Sequence, residues 1–154
     1  APQAFDILNE ELARHDYNGM AVAPGATDLL HALHTFGMPM ALVSNKTHAG
    51  LINDVAHYGW GDYFQSVVGA GRAARDKPSP DPAYLALMEM GQGTENTGNI
   101  WYVGDTGTDV AMAQNAGFFM IVIGHRVQPP ANGVQYQTLI DLADDLARQD
   151  WFET

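Results

Sequence analysis

Residues 100–109 of the chain read IWYVGDTGTD: an apolar run, then a glycine, then two aspartates four positions apart with threonines between them. A short apolar run of this kind is typical of a strand that is buried on both faces of a parallel sheet. Side chains that follow such a strand lie at the crevice where open α/β sheets bind their ligands. The stretch therefore predicts a buried strand that delivers Asp105 and Asp109 to a ligand site.

The segments on either side of this stretch alternate between strand and helix patterns. Strands are predicted at residues 38–43, 65–69, 100–103 and 119–123, and helices at 4–15, 26–35, 47–58, 81–90, 108–115 and 136–148. Regular alternation implies right-handed βαβ units with helices on both faces of the sheet. The expected fold class is α/β, a three-layer α/β/α Rossmann-like parallel sheet.

The overall composition narrows the possible functions. A length of 154 residues fits one domain with a sizeable core. The formal charge of −11 argues against nucleic acid and anionic membrane surfaces as partners. Cysteine is absent, which excludes disulfides, thiolate zinc sites and cysteine nucleophiles. No apolar run approaches a membrane span and no signal peptide is recognisable, so we expect no membrane partner and a cytoplasmic location.

Asp105 and Asp109 form the strongest chemical signal. If the turn between them is helical, their carboxylates lie about 5–6 Å apart on one face. Two unit charges at that separation repel by roughly 3 kcal/mol at an effective dielectric near 20, and a divalent cation would reverse the penalty. Oxygen ligands in small number suit Mg²⁺, which keeps several waters and bridges to phosphate. The alternative is an acidic first turn of a helix, capped by Thr106 or Thr108.

A second polar group follows the strand predicted at residues 38–43. Ser44 and the backbone amide of Asn45 could bind a phosphoryl oxygen at the start of the next helix. The alternative is that Ser44 is only a helix N-cap. Lys46, Thr47 and His48 are candidates for contact with the leaving group of a substrate.

A third signal is the proline-rich segment at residues 77–82, which reads KPSPDP. Its prolines stiffen the loop and lower the entropy lost on fixing Lys77. A fixed ammonium group can neutralise charge on a transferring phosphoryl group. The alternative is a solvated loop lysine. Arg72 and Arg75 precede this segment and could steer an anion, with a solvated loop again as the alternative.

Three motifs follow one another along the chain: an apolar strand followed by Ser-Asn, a Lys-Pro pair, and an apolar strand followed by Gly-Asp-x-x-x-Asp. This combination resembles the haloacid dehalogenase-like hydrolase superfamily. The resemblance runs from about residue 23 to residue 123. Within it, the Val-Ser-Asn-Lys segment at 43–46 and the Pro24-Gly25 turn look most like the phosphoglycolate phosphatase group. The Gly-Asp-x-x-x-Asp form is that of the Mg²⁺-dependent phosphatases, so we discount carbon–halogen chemistry.

The resemblance implies a role for each of these residues. Ser44, Asn45 and Lys46 would bind substrate, with Ser44 and the Asn45 amide on the phosphoryl group. Lys77 would pair with the nucleophile and the phosphate. Asp105 would ligate Mg²⁺, and Asp109 would hold a metal-bound water or orient Lys77.

The chain departs from this family at its N-terminal end. Members carry an Asp-x-Asp motif after their first strand, whose two carboxylates act as nucleophile and as general acid and base, and this sequence contains no Asp-x-Asp. The interpretation is that residues 1–21 are the remnant of a helical cap and that residues 22–154 are a core lacking its first strand. An empty slot in the sheet would leave buried backbone groups unpaired, at roughly 1–3 kcal/mol each. We therefore expect an N-terminal segment, or a second chain, to complete the sheet.

Three functions are compatible with the sequence. The first is a Mg²⁺-dependent phosphatase of small phosphorylated metabolites that acts through an aspartyl-phosphate intermediate. The second is a non-catalytic phosphate- or protein-binding relative that has lost its nucleophile. The third is a mutase or a phosphonate-cleaving enzyme on the same scaffold.

Overall fold

A computed structural model describes residues 4–7, 13–14, 21–22, 24–95 and 97–149. The strands are β1 Ala4–Ile7, β2 Ala13–Arg14, β3 Ala21–Val22, β4 Met40–Thr47, β5 Ser66–Ala70, β6 Ile100–Gly104, β7 Phe119–Ile123 and β8 Val134–Tyr136. The α-helices are α1 Ala26–Phe36, α2 His48–Tyr58, α3 Asp81–Glu89, α4 Gly107–Ala116 and α5 Leu139–Arg148. Two 3₁₀ turns lie at Gly61–Tyr63 and Thr97–Asn99.

Six strands form one parallel sheet in the order β5-β4-β1-β6-β7-β8. Alternate residues of its strands feed two separate apolar clusters, one on each face of the sheet. Leucines of α1, α2 and α5 cover one face, and apolar residues of α3 and α4 cover the other. The predicted three-layer α/β/α architecture is therefore confirmed, and strands that alternate faces in this way explain the continuous apolar runs in the sequence.

The glycine-ended helices were predicted closely. α1 and α2 end at Gly37 and Gly59, each at a positive φ, of 88° and 70°. Glycine is the residue that adopts such a φ with almost no conformational strain, so the helices end at these two positions. The strands at residues 66–70, 100–104 and 119–123 also match the predicted ones to within one residue at each end.

The helix predicted over residues 4–15 is wrong for the residues of it that are described. Ala4–Ile7 is instead a strand that pairs in parallel with β4 on one side and β6 on the other. The slot in the sheet that we expected to be empty is thus filled. The physical reason is that unpaired backbone groups in two neighbouring central strands are costly, and Phe5 and Ile7 suit a strand. Residues 8–12 and 15–20 lie outside the described residues, so the cap remnant over 1–21 stays a prediction for them.

The helix predicted over residues 136–148 begins later than expected. Val134–Tyr136 is the edge strand β8, with Tyr136 opposite Ile123 of β7. The helix starts only after Thr138, whose hydroxyl accepts a hydrogen bond from the Asp141 amide at 3.1 Å. A side chain that caps a helix in this way fixes its first turn, and the residues before it are free to pair with the sheet.

None of the helices in the described part of the chain is both long enough and apolar enough to span a membrane.

Candidate active site

A buried ion pair joins two of the three sequence signals. The Lys77 ammonium lies 2.8 Å from Oδ1 of Asp109, and the two side chains are 2 % and 0 % exposed. The alternative of a solvated loop lysine is therefore wrong. The buried Lys77 ammonium is tolerated in this position only because the Asp109 carboxylate, its partner, is equally buried.

Tyr102 of β6 connects this ion pair to the third signal. Its hydroxyl lies 3.3 Å from the Lys77 ammonium and 3.4 Å from Oδ1 of Asp109. It also lies 3.4 Å from the carbonyl oxygen of Val43, the residue before Ser44. Strand β4, strand β6 and the lysine loop thus meet around one fully buried phenol.

The second carboxylate oxygen of Asp109 organises the turn between β6 and α4. Oδ2 accepts hydrogen bonds from the backbone amides of Asp105 and Thr106, at 3.2 and 3.1 Å, and from the Thr106 hydroxyl at 2.7 Å. Thr106 is the N-cap of α4, one of the two capping threonines that the sequence offered. Asp109 therefore supports the N-terminal cap of α4 through Oδ2 and holds the Lys77 ammonium through Oδ1.

Gly104 is required by this arrangement. A Cβ atom built at residue 104 would lie 2.7 Å from Cβ and 2.8 Å from Cγ of Asp109. Such distances are far below van der Waals contact, so any side chain at 104 would displace the carboxylate that holds Lys77.

Asp105 lies just before the helix and not within it. The helical turn on which the expected spacing of the two carboxylates depended is therefore not formed, because Thr106 caps α4 and Asp105 precedes the cap. One oxygen of Asp105, Oδ2, lies 3.3 Å from the guanidinium of Arg126. The other, Oδ1, is buried and has no hydrogen-bond partner within the described residues. A buried carboxylate oxygen without a hydrogen-bond partner costs folding free energy, and it therefore indicates a position where a ligand binds.

The residues present fit a magnesium ion on this evidence. Asp105 supplies one hard, unpartnered oxygen, and Mg²⁺ is commonly held by one or two carboxylates together with waters and substrate phosphate. Both oxygens of Asp109 already accept hydrogen bonds from the protein, so Asp109 suits a supporting position better than that of a ligand. Within the ranges described, no cluster of three or more His, Cys, Asp or Glu side chains is arranged around a common metal position.

Ser44 is buried within β4 and is 2 % exposed. The alternative that it caps the next helix is wrong, because Thr47 is the N-cap of α2 and accepts from the Gly50 amide. The Ser44 oxygen instead accepts a hydrogen bond from the Lys46 amide at 3.1 Å. Because the Ser44 hydroxyl is the acceptor of this hydrogen bond, its proton stays available to donate to an anion.

The other two predicted substrate-binding residues contact protein groups. The Asn45 side chain forms two hydrogen bonds with the main chain of Lys77, at 3.1 and 3.2 Å. The Lys46 ammonium pairs with Asp54, a buried carboxylate of α2. Substrate contact by Asn45 and Lys46 stays a prediction.

The remaining candidates are also engaged within the protein. Nδ1 of His48 accepts a hydrogen bond from the Gly69 amide at 3.1 Å, and burial, followed by the charge of Arg72, lowers the pKa of His48. Arg72 and Arg75 form ion pairs with Glu89 and Asp81, at 2.8 and 3.0 Å. These loop arginines are therefore held by the protein's own carboxylates.

The Arg72–Glu89 pair predicts a pH-dependent contribution to stability. Hydrogen bonds from Arg72 and Ser66 lower the pKa of Glu89 from 4.5 to about 2. A carboxylate whose pKa is depressed on folding contributes stability above the unfolded pKa, and the contribution is lost as the pH falls through the folded value. Because the side chain is 31 % exposed, we expect Glu89→Gln to lower the free energy of unfolding by only about 1 kcal/mol at pH 7.

Urea titrations at several pH values test this prediction. The difference between the parent protein and Glu89→Gln should shrink as the pH is lowered from 4.5 towards 2. Glu95→Gln, at an exposed position, is the matched control and should show no such trend. A constant difference across the range would contradict the assignment.

Strand β1 carries an aspartate, Asp6, whose position along the strand stops short of the site. Asp6 is opposite Ala41 of β4 and Tyr102 of β6. Ser44 and Asp105 each lie three residues further along their strands, about 10 Å away at the usual rise per residue. In this register Asp6 is not level with the proposed phosphoryl position, and residues 8–12, which follow it, lie outside the described residues.

Sequence reasoning missed three residues of the site. Arg126 contacts Asp105, Tyr102 supports the ion pair, and Asn115 donates to the Pro78 carbonyl at 3.1 Å. Two aromatic residues, Trp101 and Tyr102, stand in the strand pattern of residues 100–104 and were a usable signal for Tyr102. Arg126 and Asn115 carried none, because each meets its partner only in the folded chain.

Known proteins resemble this chain in sequence and in fold. Residues 2–123 match the family described as haloacid dehalogenase-like hydrolase. A phosphoglycolate phosphatase of Rhodobacter capsulatus is 32 % identical over 130 residues, which are 81 % of this chain and 57 % of the relative. A phosphoglycolate phosphatase of Pectobacterium atrosepticum is 34 % identical over 117 residues, which are 71 % and 49 % of the two chains.

A solved structure shares the fold. The crystal structure of a Had-superfamily hydrolase from Ehrlichia chaffeensis superposes with a TM-score of 0.75 at 27 % sequence identity, and the match covers 88 % of this chain and 61 % of the other. The chain spans about half the length of the curated relatives it matches.

Proposed function

Because the chain belongs to the haloacid dehalogenase-like hydrolase family, we propose that the whole protein is a Mg²⁺-dependent phosphatase of small phosphorylated metabolites. The observation that carries the proposal is the buried Lys77–Asp109 pair beside Asp105, whose Oδ1 is buried without a partner. Asp109 contacts both the Lys77 ammonium and the Asp105 amide, so a fixed cation and an unsatisfied carboxylate oxygen are held by the same side chain. Such a pair of groups suits a site for a phosphoryl group and a divalent ion.

The residues of this chain take distinct parts in the proposed reaction. Ser44 donates its proton to a phosphoryl oxygen, and the Lys77 ammonium stabilises the charge on the same group. Asp105 would hold the magnesium ion, which when bound neutralises the phosphoryl oxygens in the transition state. Asp109 fixes Lys77 and the turn that carries Asp105.

The nucleophile in this proposal is an aspartate from a segment upstream of Ala1 or from a second chain. Its carboxylate oxygen bonds to phosphorus while the bond from phosphorus to the ester oxygen breaks, and the leaving alcohol takes a proton from a general acid. Water then hydrolyses the aspartyl phosphate and releases inorganic phosphate. The absence of Asp-x-Asp from the sequence favours an external nucleophile. Strand β1 fills the slot between β4 and β6, and its register leaves Asp6 short of the site, so β1 does not replace that nucleophile.

Phosphoglycolate is the first substrate to test, because relatives with that activity in their names match this chain. The cytoplasmic location stays a prediction. A phosphate-binding protein without catalytic activity is the second candidate, and the absent Asp-x-Asp motif is the observation that favours it.

Phosphate release tests the proposal. Phosphoglycolate and p-nitrophenyl phosphate are offered to this chain and to the extended protein, meaning this chain preceded by the residues that its reading frame encodes upstream. We expect Mg²⁺-dependent release from the extended protein and a much lower rate from the chain alone. Chelation of Mg²⁺ should abolish the activity. An extended protein that binds phosphate but hydrolyses neither ester would favour the second candidate.

A further inference from the structure

The Asn45 side chain pairs with the main chain of Lys77 from both sides. Its Nδ2 donates to the Lys77 carbonyl at 3.1 Å, and its Oδ1 accepts from the Lys77 amide at 3.2 Å. A side-chain amide has one acceptor oxygen and one donor nitrogen, so this pairing uses both. The two residues are 32 positions apart, and Asn45 belongs to β4 while Lys77 belongs to a loop.

A second asparagine holds the same loop from the other side. Asn115 of α4 donates to the carbonyl of Pro78 at 3.1 Å. The same helix carries Asp109, the partner of the Lys77 ammonium. The main chain at residues 77 and 78 is thus tied to the sheet by Asn45 and to α4 by Asn115.

The loop needs such ties because it has little regular structure of its own. Residues 71–80 form no helix or strand between β5 and α3. The lysine side chain has four rotatable carbons, and its ammonium must lie within hydrogen-bond reach of both Asp109 and Tyr102. A displacement of about 1 Å at a reacting group can reduce a rate about 10²-fold.

We propose that Asn45 is a positioning residue that acts through Lys77, with Asn115 as a second support, and that its side chain does not bind the substrate. The catalytic part of this inference rests on the proposed phosphatase function. The structural part, that Asn45 keeps Lys77 buried, can be tested on this chain without any activity.

Lysine acylation tests the structural part. Lys46 and Lys77 are the chain's two lysines, so mass spectrometry can follow each one separately against an added lysine peptide. Loss of two ordinary hydrogen bonds shifts an opening equilibrium by roughly tenfold or more. We therefore expect Asn45→Ala to raise the acylation rate of Lys77 about tenfold, and Asn115→Ala to raise it less.

Two further variants sharpen the result. Asn45→Asp keeps the acceptor for the Lys77 amide but removes the donor to the Lys77 carbonyl, so its acylation rate should be intermediate. Asn53→Ala, at an exposed position of α2, is the matched control and should leave the rate unchanged. An unchanged Lys77 rate in Asn45→Ala, with the variant folded by circular dichroism, would overturn the inference.

Kinetics of the extended protein test the catalytic part. A positioning residue should lower kcat in Asn45→Ala, by about 10²-fold, while KM changes less than about threefold. An effect on KM alone would show that Asn45 contacts the substrate and would overturn the inference. If the extended protein hydrolyses no phosphomonoester, the proposed function fails, while the acylation rates still decide whether Asn45 holds Lys77.

Discussion

Lys77→Met is expected to lower the free energy of unfolding by about 3–5 kcal/mol, although methionine fills a similar volume. The reason is that Asp109, which is 0 % exposed, would keep its charge and lose its cation. Oδ1 of Asp109 would then retain the Tyr102 hydroxyl, at 3.4 Å, among the contacts described. Urea denaturation at pH 7, followed by tryptophan fluorescence, measures the loss.

Two variants decide whether the unpaired charge causes this loss. Lys77→Met combined with Asp109→Asn removes both charges and should recover much of the stability, because a neutral amide tolerates burial better than a lone carboxylate. Arg75→Met breaks an ion pair whose arginine is 75 % exposed, and it should cost less than about 1 kcal/mol. A Lys77→Met loss no larger than that of Arg75→Met would contradict the buried pair.

Asp105→Asn is expected to lower Mg²⁺-dependent turnover of the extended protein by about 10²–10³-fold. The replaced Oδ1 is the one buried side-chain carboxylate oxygen in the described residues without a hydrogen-bond partner, and an amide is a poorer ligand for a hard cation. The fold should tolerate the change, because the ion-pair partner of Asp105 is Arg126, which is 69 % exposed. Turnover is measured as a function of Mg²⁺ concentration, and Mg²⁺ binding to this chain by calorimetry.

A matched control accompanies this substitution. Asp62→Asn changes an exposed carboxylate in a 3₁₀ turn and should alter neither Mg²⁺ binding nor turnover. The thermal midpoint of Asp105→Asn should stay close to that of the parent. Turnover in Asp105→Asn that remains near normal and still depends on Mg²⁺ would remove Asp105 from the metal site.

The sequence predicted those parts of the fold that depend on local patterns. Buried strands were visible as apolar runs, and helix ends were visible at Gly37 and Gly59 because a positive φ favours glycine. Residues 4–7 were misassigned because their pairing is set by β4 and β6, which lie far away along the chain. Propensity alone does not resolve a short segment whose partners are distant.

The site was predicted by residue type, and one of its contacts was expected as well, because the resemblance implied that Asp109 could orient Lys77. Lys77, Asp105 and Asp109 were singled out, and the structure brings Lys77 to Asp109 and the Asp105 amide to the same carboxylate. The pairing of Asn45 with Lys77 could not be predicted, because it spans 32 positions and depends on a loop with no periodic pattern. A single sequence does not show which side chains from distant parts of the chain meet at the loops.

The close approach of Gly104 to Asp109 also constrains redesign of the site. The carboxylate group at 109 already packs against the α-carbon region of residue 104. A glutamate at 109 would carry one more methylene into the same space, so lengthening this acid cannot be used to retune the lysine.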